Sequence, residues 1–364
     1  MTVCIISNPD DSHAIYVEMG LRQKGERVHA WHWGNFPSRD AFSIRVSRQG
    51  EVALPIELGK PTEVALWIHR GMRPILPSAM HEADRPFVER ESRRFLTSIL
   101  DEVAATAFCV NPLVASRLAN SKVTQLRVAS RCGFQIPETL QSNNPTDIRR
   151  FVDAHDGNVV VKHATQVFWV SESGGCVYIP YTARLDEQHT ADDACLRLSP
   201  SIFQPEIKKA FELRVLFIGS TIFAVKIDSQ RDKNSIDWRK DYLSLPPCSI
   251  FELPRSLVDS TYAYIKESGL RYGSIDMIVD LDGQYHFLEV NETGQFLWIE
   301  ELLPDLPLLD CFCSYLIARN DGFVYRSSQT RVSCKEFKHE VTPEALRRRR
   351  ANHVDTSAFG VLAE

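Results

Sequence analysis

Short apolar runs alternate along the chain with longer amphipathic stretches, and turn-forming residues separate the two. Val3-Cys4-Ile5-Ile6 runs into the polar Ser7-Asn8-Pro9-Asp10-Asp11, which predicts a buried strand and a turn. The mixed stretch Ser12 to Lys24 predicts a helix, Gly25 its stop, and Val28 to Trp33 the next strand. Val64-Ala65-Leu66-Trp67-Ile68 reads as a further buried strand and ends in His69-Arg70-Gly71. This opening implies an α/β first domain, in which polar residues just past a strand end lie where such folds place ligands. A surface turn is the competing reading of His69 and Arg70.

From Asn120 onward the pattern changes. Ser121 is a good N-cap, Val123, Leu126 and Val128-Ala129 supply an apolar stripe, and Gly133 can end the helix left-handed. Lys122 then sits in the first turn, where a cation opposes the helix dipole; it faces either an anion or solvent. Val159-Val160-Val161-Lys162 predicts a short strand whose lysine snorkels to water. Ser171-Glu172-Ser173-Gly174-Gly175 suits a loop whose N–H groups could cover a phosphate. Phe203-Gln204-Pro205-Glu206-Ile207 is extended, because proline disfavours helix for the residue before it. Glu212 to Ile218 alternates as a strand, Gly219-Ser220 turns, and Thr221 to Ile227 returns. Glu212 and Arg214 share one face of that strand, as a salt-bridged or an exposed polar face.

Gly273 to Asn291 carries the most information. Asp282-Gly283 between two β-rich runs predicts a two-residue hairpin turn pairing Leu281 with Gln284 and therefore Asp276 with Glu289. Ile275, Met277, Val279, Leu288 and Val290 form the opposite, core face, and Asn291 shares the side of Glu289. Two facing carboxylates repel unless a cation bridges them or one is protonated. An Asp/Glu/Asn oxygen set suits Mg²⁺, which keeps waters and takes further ligands from phosphates. A solvated acidic hairpin is the alternative.

Composition adds limits. The 364 residues are 44% hydrophobic and 24% charged, with a net charge of −5, which is ordinary globular composition and argues against a general nucleic-acid binder. The length suggests two or three domains. No window approaches the roughly 18 apolar residues of a membrane span, and the first apolar run has no basic residue before it, so a cytoplasmic protein is expected. Nine cysteines without a CxxC pair read as reduced thiols. Arg347-Arg348-Arg349-Arg350 reads as a solvated run in a disordered tail.

Taken in order, Lys122, Ile136-Pro137-Glu138-Thr139, Val161-Lys162, the Ser/Gly loop, Phe203 to Ile207, Glu212 to Val215, Asp276 and Glu289-Val290-Asn291 resemble the ATP-grasp superfamily. Glu212 to Val215, Ile227-Asp228-Ser229-Gln230, Asp237-Trp238-Arg239, and Phe287 to Asn291 through Gly294-Gln295-Phe296, Trp298 and Glu300 resemble the graspetide synthetases within it, including the microviridin-type peptide macrocyclases. The resemblance covers roughly residues 64 to 316. It implies α/β and α+β architecture: a pre-ATP-grasp N-terminal domain over 1–115, a central subdomain with the phosphate lid over 116–200, a C-terminal subdomain with the metal site over 201–320, and a tail over 321–364. It further implies that Lys122 and Lys162 hold ATP phosphates, that Gln204, Pro205, Glu206 and Ile207 read adenine, and that Glu212 belongs to the nucleotide site. Asp276, Glu289 and Asn291 would bind Mg²⁺. Arg214 and Arg239, with Lys162, would act on the transferred phosphate and the substrate acid, and His69 and Arg70 would meet substrate.

The chemistry that follows needs no nucleophilic side chain. A substrate carboxylate attacks the terminal phosphate of ATP, and a hydroxyl or amine then displaces phosphate from the acylphosphate. The expected substrate is a ribosomally made precursor peptide with a leader and an acidic core, joined to itself through ester or amide links. An intermolecular ligase that adds an amino acid to a peptide or protein carboxylate is the alternative, and a non-catalytic binding module is a third. A homodimer is expected by analogy, with no membrane or nucleic-acid partner.

Overall fold

Strand β1 (Thr2–Ile6) is buried at every position because it is covered on both faces. It pairs in parallel with β2 (Arg27–Trp31) and β5 (Val64–Ile68), and β5 with β6 (Phe108–Val110), in the order β2-β1-β5-β6; a small hairpin of β3 (Arg45–Val46) and β4 (Val52–Ala53) lies apart. Helix α1 (Ser12–Gln23) joins Val3 and Ile5 on one face, and α2 (Arg85–Ala104) joins Cys4 and Ile6 on the other. The computed structural model describes residues 2–54, 63–71, 73–77, 79–164, 169–170, 177–178, 180–186, 190–230, 236–240, 245–327 and 330–351.

Helices α3 (Leu113–Ala119) and α4 (Lys122–Arg131) follow, the latter capped by Ser121 and closed by Gly133 at φ +89°. The buried stripe of α4 differs from expectation: Val123 is 57% exposed, whereas Gln125 is 2% exposed beside Leu126, Val128 and Ala129. Next come β7 (Leu140–Ser142), α5 (Pro145–Ala154), β8 (Val159–Lys162), the pair β9 (Trp169–Val170) and β10 (Val177–Tyr178), β11 (Ala183–Arg184) and β12 (Ser201–Pro205). The sheet β11-β8-β12-β7 packs Val159 and Phe203 against Ile148 and Phe151 of α5.

A five-stranded antiparallel sheet completes the fold in the order β15-β14-β13-β16-β17, from β13 (Lys209–Ile218), β14 (Thr221–Ile227), β15 (Cys248–Ile250), β16 (Tyr272–Asp280) and β17 (Tyr285–Asn291). One face packs Leu213, Val215, Ile275, Met277 and Phe287 on α4 and the Arg255–Ser268 helix. Leu216, Ile218 and Tyr272 instead join β1 and β5 in a shared core with the Leu308–Ala318 helix. Asn111, just past β6, ties the halves together: its amide donates to the carbonyls of Tyr272 and Glu292 and accepts the N–H groups of Arg271 and Tyr272.

The expected disordered tail is corrected here. Cys334–Ala351 is a helix whose Cys334, Phe337 and Val341 are buried in the core that holds α1. Three of its arginines are paired: Arg347 with Glu344, Arg348 with Glu18 and Glu344, and Arg349 with Asp10. Amphipathic spacing of a few apolar residues outweighs the local charge density that suggested a solvated run.

Candidate active site

The central sheet and the polar face of the five-stranded sheet enclose a cavity of about 450 Å³, within the range of nucleotide-sized pockets. Lys122, Lys162, Arg214, Arg239, Asp276 and Glu289 all line it. So do Gln204, Pro205, Glu206, Ile207 and Glu212. Its lining holds seven lysines and arginines against five aspartates and glutamates, an imbalance that favours an anionic occupant.

Asp276 does face Glu289, but by another route than the predicted turn. The Asp280 N–H bonds the Gln284 carbonyl, so the loop is Leu281-Asp282-Gly283, with Gly283 at φ +78°. A compensating bulge at Leu288 shifts the register back between Asp276 and Met277. Leu288 is therefore not a core residue; it lines the cavity, and Phe287 is buried in its stead. Ion pairs hold the facing carboxylates. Lys122 Nζ donates to Glu289, and Arg214 lies 3.2 Å from Asp276, its direct partner across β13 and β16. Burial raises Asp276 to about 6, with Glu289 adding to the rise and Arg214 opposing it. Burial would raise Glu289 too, yet Lys122, backed by Lys162 and Arg239, holds it below its ordinary value. The Asn291 amide donates to Asp276 at 2.8 Å. Among the described residues no group of three or more His, Cys, Asp or Glu side chains could hold a metal. Two carboxylates and an amide oxygen fit a hard cation that takes its other ligands from phosphates and water.

Lys162 does not snorkel to bulk water: its ammonium turns into the cavity and donates to Gln204 Oε1 at 2.8 Å, and burial lowers its pKa. The Gln204 amide in turn donates to Thr139 Oγ1 at 2.9 Å. Glu206 holds Arg184 through two hydrogen bonds of 2.6 and 2.7 Å, and its N–H is donated to the Asn158 carbonyl. Glu212 pairs with Lys209, whose ammonium also donates to the Ile236 carbonyl at 2.8 Å.

On the opposite wall, Arg239 Nε and Nη2 donate to the two oxygens of Asp237 at 2.8 and 2.7 Å, and these bonds raise the arginine's pKa. Asp237 also accepts the Thr182 N–H at 3.2 Å, which links this wall to the central sheet. The Trp238 ring lies 6.0 Å from that of Trp298, and the Arg214 guanidinium is 6.0 Å from the Trp298 ring.

His69 and Arg70 are outside this cavity. His69 is buried at the end of β5, stacked between Trp67 and His13, with Asp11 3.5 Å away; Arg70 is 3.7 Å from the same carboxylate. Asp11 is also the N-cap of α1. The predicted lid, Ser171 to Gly175, lies outside the described residues. Sequence reasoning missed Lys209, Thr182 and Gln125. Of these only Gln125 left a signal, a polar residue three positions after Lys122 within an apolar stripe.

Solved structures supply the relatives. The macrocyclase MdnC of Microcystis aeruginosa MRC, bound with precursor peptide MdnA, is 26% identical, with 87% of this chain and 100% of that one covered and a TM-score of 0.72. A RiPP-associated ATP-grasp ligase of Chryseobacterium gregarium, in complex with ADP and leader and core peptides, is 25% identical over 88% of this chain and 97% of that one, with a TM-score of 0.77. The macrocyclase MdnB of Microcystis aeruginosa MRC is 25% identical over 87% and 99%, with a TM-score of 0.70. No protein-family model and no curated protein matches the chain. The fold is therefore the ATP-grasp fold with an N-terminal α/β domain.

Proposed function

We propose that this chain, an ATP-grasp ligase of the graspetide-synthetase kind, activates side-chain carboxylates of a ribosomally made precursor peptide and links them to hydroxyls or amines of the same peptide. The observation that carries the reading is one cavity in which two lysines, two arginines and the Asp276–Glu289 pair converge. In this reading the domains divide as 1–115, 116–200 and 201–320.

Lys122 and Lys162 hold the ATP phosphates. At the hinge, Pro205 has no N–H and that of Glu206 is spent on Asn158, which leaves the Ile207 N–H and the neighbouring carbonyls to read adenine. Gln204 and Glu212 work indirectly, orienting Lys162 and Lys209. Asp276, Glu289 and Asn291 would hold Mg²⁺, which when bound neutralises phosphate charge. Arg214 and Arg239 draw the substrate carboxylate and the terminal phosphate together; Asp237 fixes Arg239 for that task. The carboxylate attacks the terminal phosphorus, ADP leaves, and a peptide hydroxyl or amine then displaces phosphate from the acylphosphate. Arg239 stabilises the oxyanion of that second step, a contribution of about 3 kcal/mol for a single well-placed donor.

Peptide substrates accompany the structural relatives, and Trp238 and Trp298 beside the two arginines offer a wall for an acidic core segment. His69 keeps no substrate role, being buried behind Asp11, whereas half-exposed Arg70 is retained as a contact for peptide. A cytoplasmic enzyme fits the eight free cysteines among the described residues and the demand for ATP. Among the described residues no helix is long and apolar enough to cross a membrane. A homodimer belongs to the same reading.

The test is the intact mass of acidic peptides encoded beside the gene after incubation with the protein, ATP and Mg²⁺. Loss of one water per linkage, with fragmentation suppressed inside the ring, is expected. A mass gain equal to one amino acid would establish the intermolecular ligase in its place, and ADP release with the peptide mass unchanged would end the macrocyclase reading.

A further inference from the structure

We propose that Gln125 is a positioning residue that locks α4 to β17 and thereby sets how tightly the site holds its divalent cation. The inference rests on Glu289 and Asn291 being metal ligands, as read above. Among the described residues β17 is the outer strand of its sheet; Gln135 bridges its free edge at His286 and accepts the Phe287 N–H, but no strand continues that edge to Val290. Gln125 takes that place at Val290. Its Oε1 accepts the Val290 N–H at 2.9 Å, and its Nε2 donates to the Val290 carbonyl at 3.0 Å and to the carbonyl of Ala119 at the end of α3. A glutamine amide, with one acceptor and two donors, matches all three partners.

The position of this clamp matters more than its strength. Val290 lies between Glu289 and Asn291, so the two peptide units that Gln125 grips are the ones that join Val290 to the two candidate ligands. Leu288, the bulged residue, precedes them, and a bulge is where a strand's register and side-chain aim are least determined by pairing alone. Gln125 fixes the strand just beyond that point. Three positions separate it from Lys122, so one helix face carries both the clamp and the cation paired with Glu289. The distance between the phosphate-binding lysine and the acidic strand is thereby set by hydrogen bonds within the protein before any nucleotide arrives. A purely structural role, satisfying buried backbone groups, would affect stability alone.

The experiment is calorimetric titration of ADP into the full chain across a series of Mg²⁺ concentrations, for wild type and Gln125→Leu. The Mg²⁺ needed for half-maximal ADP affinity should rise roughly tenfold or more in the variant, the usual cost of removing a support behind a metal ligand. Saturating Mg²⁺ should restore the wild-type affinity. Thr261→Val serves as control: it deletes the buried Thr261 bond to the Leu257 carbonyl, outside the cavity, and should lower the melting temperature with the Mg²⁺ curve unmoved. A folded Gln125→Leu protein with the wild-type Mg²⁺ curve overturns the inference. If that variant does not fold, Gln125→Glu, which keeps the acceptor for Val290 N–H, is judged by the same curve. Wild-type protein that binds no ADP at any Mg²⁺ concentration would overturn the proposed function itself, and this inference with it.

Discussion

Lys122 and Arg214 each neutralise one of two facing carboxylates, so the site carries its own counter-ions. Breaking either pair from one side would strand a buried charge, whereas nucleotide and metal arriving together exchange partners on both sides at once. A second buried ionisable cluster lies apart from the cavity, and there the sign of a pH effect can be worked out. Burial pushes His69 down to about 4 despite the pull of Asp11, and pushes His13 well below its ordinary value. Below pH 6.5 the unfolded chain then binds more protons than the folded one, so stability falls as pH drops from about 6.5 toward 4. At about 1.4 kcal/mol per pH unit, His69 alone accounts for roughly 2 kcal/mol between pH 7 and pH 5. Urea unfolding at the two pH values should show His69→Phe, which keeps a ring stacked on Trp67, losing about 2 kcal/mol less than wild type. Equal losses would mean that His69 is not held neutral in the fold.

The β16–β17 hairpin places the acidic pair through two departures from regularity that cancel. A three-residue loop shifts the register one way and the Leu288 bulge shifts it back, so Asp276 still meets Glu289. The loop depends on Gly283, whose left-handed φ of +78° costs a side-chain-bearing residue about 1 kcal/mol; a Cβ there would meet nothing within 4 Å. Gly283→Ala should therefore lower the unfolding free energy by about 1 kcal/mol and leave the Asp276 and Glu289 geometry intact. A loss several times larger in urea unfolding would show that the turn directs the register as well. The same hairpin shows how far sequence reaches. Alternation identified both strands, because apolar periodicity reports which face is buried; the pairing of Asp276 with Glu289 was counted from a two-residue turn and holds because the longer loop and the bulge cancel. Alternation could not reveal the bulge, since Phe287 and Leu288 are both apolar and only tertiary packing decides which enters the core. Lysines and acids were legible by motif order. The hydrogen bonds that Gln125 and Asp237 accept from Val290 and Thr182 were not, because each spans elements far apart in sequence.

Across the whole molecule, the C-terminal helix connects the first domain to the active-site wall. Phe337 and Val341 are buried against the α1 core, and Arg348 reaches Glu18 on α1 at 2.8 Å. The Cys334 N–H donates to buried Glu300, whose other oxygen accepts the Leu309 N–H. Glu300 belongs to the same short helix as Trp298, which stands by Arg214, and Phe296 just before that helix packs on His13 and Tyr272. A stretch that reads as a charged tail is thus part of what holds the loop after Asn291 in place. Burial of Phe337 and Val341 alone contributes about 3–6 kcal/mol, a large share of the 5–15 kcal/mol that a folded domain typically has. A chain ending at residue 333 should melt roughly 4–8 °C lower than the full chain. Where it still folds, it should bind ADP with Mg²⁺ more weakly, because the Glu300 carboxylate loses a backbone partner and the Trp298 helix loses its anchor. A truncated chain with unchanged melting and unchanged ADP affinity would show that the helix is an appendage, and that the wall bearing Trp298 is held by the Leu308–Ala318 helix alone.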